Sequence, residues 1–293
     1  MNLTVTVLEI VSPVFFLATI GFIWVKAGFE YRIEFVTRLA MTLAVPCLIF
    51  TALMQTEVDL AALGTLTFAA VTAYAAVGAV GAILLSAFKM DHRTYLAPFI
   101  FGNTGNLGLP LALFAFGQAG LERGVVLLAI SAILSFTIGI WLVAGRGSFW
   151  KILKEPMIGA TLLGALFLWR GWTTPPFLTN TLELIGQMAI PIMLITLGVA
   201  VARLTPSRVG IAIVLSVLKL VICAAIAWGI GRAFGLDDVS LAVLVLQIST
   251  PVAVTAYLLA EKYNADSNAV AGFVVVSTLI SVAGLPLLLA LLL

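Results

Sequence analysis

Apolar residues run along this chain in long, nearly uninterrupted blocks, and the polar and charged positions gather in short gaps rich in Pro and Gly. The gaps leave ten apolar segments, at about 5–26, 33–55, 60–88, 94–117, 121–144, 152–170, 178–202, 208–234, 239–261 and 267–291. A helix needs about 20 apolar residues to cross ~30 Å of hydrocarbon, so each block predicts one crossing. The expected fold is an all-α membrane protein of about ten transmembrane helices.

Composition agrees with the pattern. Of 293 residues 62% are apolar and 10% charged, against the ~25% charged of a soluble domain, and mean hydropathy is +1.21. Fifteen Lys and Arg with thirteen Asp and Glu cannot cover a soluble surface. A net charge of +2, with the basic residues scattered singly, argues against a nucleic-acid partner. Cys47 and Cys223 lie in separate apolar blocks with no CxxC and no metal-like spacing; they read as small buried hydrophobes, and no cofactor or metal is expected. The N-terminal run lacks the basic start of a cleaved signal peptide and reads as the first crossing.

The charges carry topology. Numbered in order, the odd gaps hold Lys26, Arg32, Lys89, Arg93, Arg146, Lys151, Lys154, Arg203, Arg208 and Lys262, whereas the even gaps hold only Arg123, Arg170 and Arg232. Positive residues mark the cytoplasmic side, so the odd gaps face in and both termini of this multi-pass plasma (inner) membrane protein face out. The segment 145–155 is basic and amphipathic, suited to the inner surface or to a solvated linker.

The chain also repeats. Pro13 and Gly21 recur as Pro156 and Gly164, displaced by 143; AVPCLIFT (44–51) recurs as AIPIMLIT (189–196), displaced by 145; Ser131 and Ser135 recur as Ser277 and Ser281, displaced by 146. The halves, 1–144 and 145–293, hold five crossings each. An odd number makes the second copy enter from the opposite side, an inverted-topology repeat typical of secondary transporters. Arg38 and Glu183, also 145 apart, read as rim residues at the inner and outer interfaces.

Two polar interruptions fall at matching depth. FGNTGNLGLPLA (101–112) places Asn103, Thr104, Gly105, Asn106, Gly108 and Pro110 within the fourth segment, and LQISTPVAV (246–254) places Gln247, Ser249, Thr250 and Pro251 within the ninth. Both helices should break there. Irregular backbone at membrane depth requires protein or a watery cavity around it, so the breaks should meet at the centre and form the substrate site. Pro110 and Pro251 suit a helix first turn, Asn106 or Thr250 can cap, and helix N-terminal ends favour an anion, above all a carboxylate.

The run NTGNLGLP (103–110), AVPCLIFTAL (44–53) with AIPIMLITLG (189–198), and the ending from STPVAVTAYLLAEKY (249–263) to Pro286 resemble the auxin efflux carrier family over nearly the whole chain. The family includes plant auxin carriers and bacterial carriers of dicarboxylates such as malate and malonate, and is similar in fold to bile-acid/sodium symporters. That resemblance implies ten crossings in two inverted repeats with crossed helices 4 and 9, a crossover at Asn103–Pro110 and Ser249–Pro251 flanked by Pro46 and Pro191, and an elevator-like motion. Asn106 stands where the family suggests a bulky apolar residue, and the long cytoplasmic loop of many plant members is absent.

Lys219 is the one charged residue near the middle of any segment. A lysine there costs about 2.5–3.5 kcal/mol on insertion scales, which points to a role in anion binding, as a fixed or titrating charge, or in satisfying unwound carbonyls. Its repeat counterpart is Tyr74. Glu9 reads as interfacial. No mid-membrane carboxylate is present, and the coupling ion stays open between proton, sodium and none. His92 lies in a gap, no HExxH or GxSxG occurs, and an enzyme has little support. Trp24, Trp150, Trp169, Trp172 and Tyr263 read as interface anchors. The expected function is a secondary transporter of small organic anions, auxin-like carboxylates or dicarboxylates; the alternative is a channel or a non-transporting sensor on the same scaffold. The expected partners are the lipid bilayer and the anion, with a homodimer as the candidate assembly.

Overall fold

The structure, a computed structural model, describes residues 3–144 and 156–292. The amphipathic segment expected at 145–155 lies outside them. The regular elements among the described residues are helices: α1 (Leu3–Lys26), α2 (Ile33–Leu39), α3 (Val45–Met54), α4 (Leu60–Ala87), α5 (His92–Ile100), α6 (Leu109–Leu134), α7 (Ile140–Ala144), α8 (Pro156–Arg170), α9 (Pro176–Gln187), α10 (Ala189–Arg203), α11 (Val209–Ala233), α12 (Asp238–Ile248), α13 (Val254–Lys262) and α14 (Ser267–Leu292). Wider π-turns at Ala40–Ala44, Thr104–Gly108 and Ser135–Gly139 join some of these. Among the described residues there is no strand, and one isolated antiparallel bridge pairs Gly102 with Val252.

Among the described residues seven helical stretches are long and apolar enough to cross a membrane: Val5–Lys26, Ile33–Met54, Leu60–Ala87, Thr104–Ala144, Pro176–Arg203, Val209–Ala233 and Ser267–Leu292. Pro156–Arg170 and Asp238–Ile248 are apolar but shorter. The stretch Thr104–Ala144 has 41 residues, about 60 Å at ~1.5 Å per residue and twice the hydrocarbon thickness. It is not straight: Gly117 sits at φ 61°, ψ −148° inside it, a backbone conformation open to glycine alone.

Proline placement explains other irregularities. Pro46 has no N–H to offer the preceding turn, and the π-turn Ala40–Ala44 directly before α3 absorbs the mismatch. Its repeat counterpart, Pro191, falls in the first turn of α10, just after the α9–α10 interruption at Met188. The two prolines therefore occupy corresponding irregular points in the two halves.

The helices pack with apolar residues on both the inside and the outside. Phe16, Phe68, Ile83, Leu287 and Leu291 are largely exposed, whereas Asn103, Lys219, Gln247 and Thr250 are buried. This inversion of the soluble pattern suits a lipid-facing surface around a polar centre. Gly21 of α1 lies against the Ile195 backbone and Gly198 of α10 against the Ala18 backbone, so any Cβ there would overlap main chain. The pairing recurs in the other half, where Gly164 of α8 meets Leu53 and Phe50 of α3. Trp24, Trp169 and Trp172 are exposed near helix ends, and the Arg170 guanidinium lies 4.7 Å and 5.8 Å from the ring centroids of the latter two.

Gly198→Val should therefore force α1 from α10 and destabilise the protein by about 1–3 kcal/mol, whereas Gly210→Val, with nothing within 4 Å of its Cβ, should lower the melting temperature far less. Thermal melts of the detergent-solubilised variants check this; equal losses would refute the tight crossing.

Candidate functional site

The centre of the molecule is built from two interrupted helices. α5 ends at Ile100, Phe101 turns extended (φ −94°, ψ 114°), and helical geometry resumes at Thr104. α12 ends at Ile248, and α13 starts at Val254 after an extended Ala253 (φ −68°, ψ 139°). The two gaps pair with each other. The Asn103 N–H donates to the Pro251 carbonyl at 2.7 Å, beside the Gly102–Val252 bridge. Gly102 is required by the approach, because a Cβ there would overlap the Thr250 hydroxyl. The Val252 N–H donates to Ser277 Oγ at 3.0 Å.

Capping differs from the sequence expectation in three places. Asn103, not Asn106, caps the new helix, its Oδ1 accepting from the Asn106 N–H at 3.2 Å; the capping residue must stand outside the turn it caps. Thr250 does not cap α13: its hydroxyl turns back to the Gln247 carbonyl at 2.7 Å, satisfying the end of α12. Pro251 lies in the extended gap and not in a first turn, whereas Pro110 does occupy the first turn of α6.

A cavity of about 120 Å³ opens on this centre, lined by Phe101–Asn106, by Ser131 and Ser135, and by Ala253–Thr255. Both resuming helices thus point their N-terminal turns at one space, where the first N–H groups have no intrahelical acceptor. It adjoins a cavity of about 490 Å³ that shares Met41, Asn106, Val254 and Thr255 and reaches Arg38, Arg203 and Tyr257. The walls of the larger space are mainly apolar, including Ile33, Met193 and Leu204. At its rim, Arg203 donates to the Tyr31 carbonyl at 2.5 Å and the Tyr31 hydroxyl pairs with Thr196 Oγ1 at 2.7 Å. Burial pushes the Tyr31 phenol up, against the Thr196 hydrogen bond and the Arg203 charge. It stays neutral near pH 7.

The remaining candidates face elsewhere. Lys219 is 1% exposed and donates to the Phe99 carbonyl at 2.6 Å. It lines a separate, water-sized cavity of about 10 Å³ with Ser249, Thr250, Ser277 and Ser281. Gln247 is fully buried, its amide oxygen pressed against Gly108, and neither of its polar atoms has a hydrogen-bond partner in the structure. Of the eight residues expected at the site, Asn103–Asn106 line the larger connected space, Ser249, Thr250 and Lys219 line the separate small cavity, and Gln247 lines neither.

A fourth cavity, about 1000 Å³, is lined by residues of the even gaps, including Glu57, Asp59, Arg123 and Asp237, with Glu122 and Glu183. Glu122 is buried and accepts from Thr56 Oγ1 at 2.6 Å. Burial would push the Asp237 carboxyl up, but Ser240, through its hydroxyl and N–H, and Arg123 outweigh it and hold the group below the usual carboxylate range.

Sequence reasoning missed Ala253–Thr255, because the polar signal of the second interruption ends at Thr250 while the open helix start lies beyond it. Ser131 and Ser135 were visible only as repeat partners of Ser277 and Ser281. In the structure each serine pair stands against the interruption of its own half.

A family model described as membrane transport protein matches the chain twice, over residues 6–148 and 146–289. An "Uncharacterized transporter" of Methanothermobacter thermautotrophicus is 28% identical, the match covering 95% of this chain and 96% of that protein. A "Putative malonate transporter" of Rhizobium meliloti is 22% identical over 62% of each.

Asn103→Ala should lower stability by about 1 kcal/mol through loss of the cap, read as a fall in melting temperature. Asn106→Ala, whose partly exposed side chain lines the cavity, should leave the melt nearly unchanged; the reverse order would overturn the cap assignment.

Proposed function

The chain belongs to the membrane transport protein family, the auxin efflux carriers that its motifs resemble, and on that premise we propose that it is a secondary transporter of small organic anions. The observation that carries this reading is the convergence of two helix N-terminal turns, at Thr104–Asn106 and Val254–Thr255, on one cavity. Such turns present N–H groups and a positive dipole end to a carboxylate. The adjoining space of about 490 Å³ is within the ~300–1,000 Å³ range of small-molecule sites, with apolar walls for the body of the anion and two arginines, Arg38 and Arg203, against one carboxylate, Glu34, to attract it. The Rhizobium relative, called a "Putative malonate transporter", supports a carboxylate.

In this proposal the 41-residue stretch turns at Gly117 and holds the second half of crossing four, which α5 begins, and the whole of crossing five; the shorter helices complete a set of ten in two inverted five-helix repeats, 1–144 and 145–293. The double family match supports that division. Helices 4 and 9 cross at the Gly102–Val252 bridge. Gly108, Pro110, Pro251, Pro46 and Pro191 act as the fixed irregular points about which the crossover is held, and alternating access proceeds by an elevator-type displacement of the unit carrying it. The odd gaps are cytoplasmic in a plasma (inner) membrane, both termini are outside, and the cavity at Asn106 opens inward. The anion is handled by binding and release with no bond made or broken, and the bilayer is the one obligatory partner.

Proteoliposomes loaded with unlabelled carboxylate should take up labelled malonate or an aromatic or branched monocarboxylate saturably and with counterflow. Asn106→Ala should weaken affinity about ten- to a hundredfold, the loss of one charge-assisted hydrogen bond. Flux without counterflow would identify a channel, and no flux across the panel would favour a sensor. For topology, in a chain with Cys47 and Cys223 replaced by Ala, a cysteine at Lys89 should be labelled only from the cytoplasm and one at Asp59 only from outside. The opposite labelling would reverse the side to which the cavity opens.

A further inference from the structure

The ammonium of Lys219 has no carboxylate within 4 Å among the described residues, yet it is almost wholly buried. What surrounds it is backbone, hydroxyl and, one turn along α11, the buried Cys223 thiol. Phe99, in the last turn of α5, gives it a carbonyl at 2.6 Å, and the Phe99 ring centroid lies 6.0 Å away. The cavity beside it is walled by Ser249, Thr250 and Pro251, the residues that directly follow the last turn of α12. Two helix C-terminal ends therefore flank one lysine. Each such end carries roughly half an elementary negative charge, and each leaves carbonyls that no later helical N–H can reach. Ser249 Oγ, 2% exposed and without a partner, lines the same water-sized space. Hydroxyl and carbonyl oxygens around an enclosed space at two negative helix ends are what a small hard cation requires. Here that requirement meets a covalently attached cation.

We propose that Lys219 is a tethered cation that fills the place a sodium ion would otherwise occupy between the two interrupted helices, so that the crossover is complete without sodium. The N-terminal turns then serve the anion on one side of the bridge while the C-terminal ends are neutralised permanently on the other. Lys219 is a positioning residue in this assignment, acting through Phe99 and the Ser249–Pro251 gap. The inference rests on the carrier reading, to which it adds that transport has no sodium requirement.

Thermal melts of the purified chain in NaCl, in NH4Cl and in choline chloride at equal ionic strength test it without any substrate. Wild type should melt identically in all three salts. Lys219→Ala, which vacates the space, should be less stable in choline and should regain stability saturably with sodium or ammonium. Lys219→Met, which refills the space without charge, should be destabilised and unresponsive to either cation. An alanine variant indifferent to both cations overturns the proposal. So does saturable, sodium-specific stabilisation of wild type, a measurement that stands even if the variants fail to fold. A failed rescue leaves the counterflow result untouched, and absent counterflow leaves the rescue standing, so the two readings fail separately.

Discussion

The hydrogen bond from the Asn103 N–H to the Pro251 carbonyl, with the Gly102–Val252 bridge beside it, is the contact on which the rest of the centre depends. Inside hydrocarbon an interrupted helix has no water to accept its freed backbone groups. The structure makes each interruption the partner of the other. The remaining groups are then taken one at a time: the Phe99 carbonyl by Lys219, the Gln247 carbonyl by Thr250, the Val252 N–H by Ser277. Most of the buried polar side chains near the bridge are explained by this accounting before any ligand is considered.

Once the gaps are paired, charge separates across them. Each interrupted helix has a C-terminal end before its gap and an N-terminal end after it. The N-terminal turns share the cavity with Ser131 and Ser135, and the C-terminal ends share the small cavity with Lys219, Ser277 and Ser281. The proposed anion site and the proposed tethered cation are two consequences of one chain direction. Gln247 fits neither set. Its buried amide has no partner, and the structure offers no physical account of that cost.

The repeat is visible in packing as well as in sequence. Gly21 against Ile195 answers to Gly164 against Phe50, and in both pairs a glycine on the first helix of one half meets the second helix of the other half. The halves part company at Lys219, whose counterpart Tyr74 packs its ring 5.9 Å from Phe101. A lysine on one side and an aromatic ring on the other make the two sides of the bridge chemically unlike.

The apolar blocks, the two interruptions, the prolines beside the irregular turns and the repeat were all legible in the sequence, because each rests on local chemistry: transfer of a segment into hydrocarbon, a missing proline N–H, a glycine without Cβ. The turn at Gly117 was legible only as a segment boundary, and the open helix start at Ala253–Thr255 not at all, since small and apolar residues there carry no polar signal. What folding decided is which way each polar group faces. Lys219, Ser249 and Thr250 share a depth with Asn103 and Asn106 but look into a different cavity. A hydrogen-bond partner is whatever atom of a distant segment arrives within about 3 Å, and here that segment lies some 120 to 150 residues away along the chain.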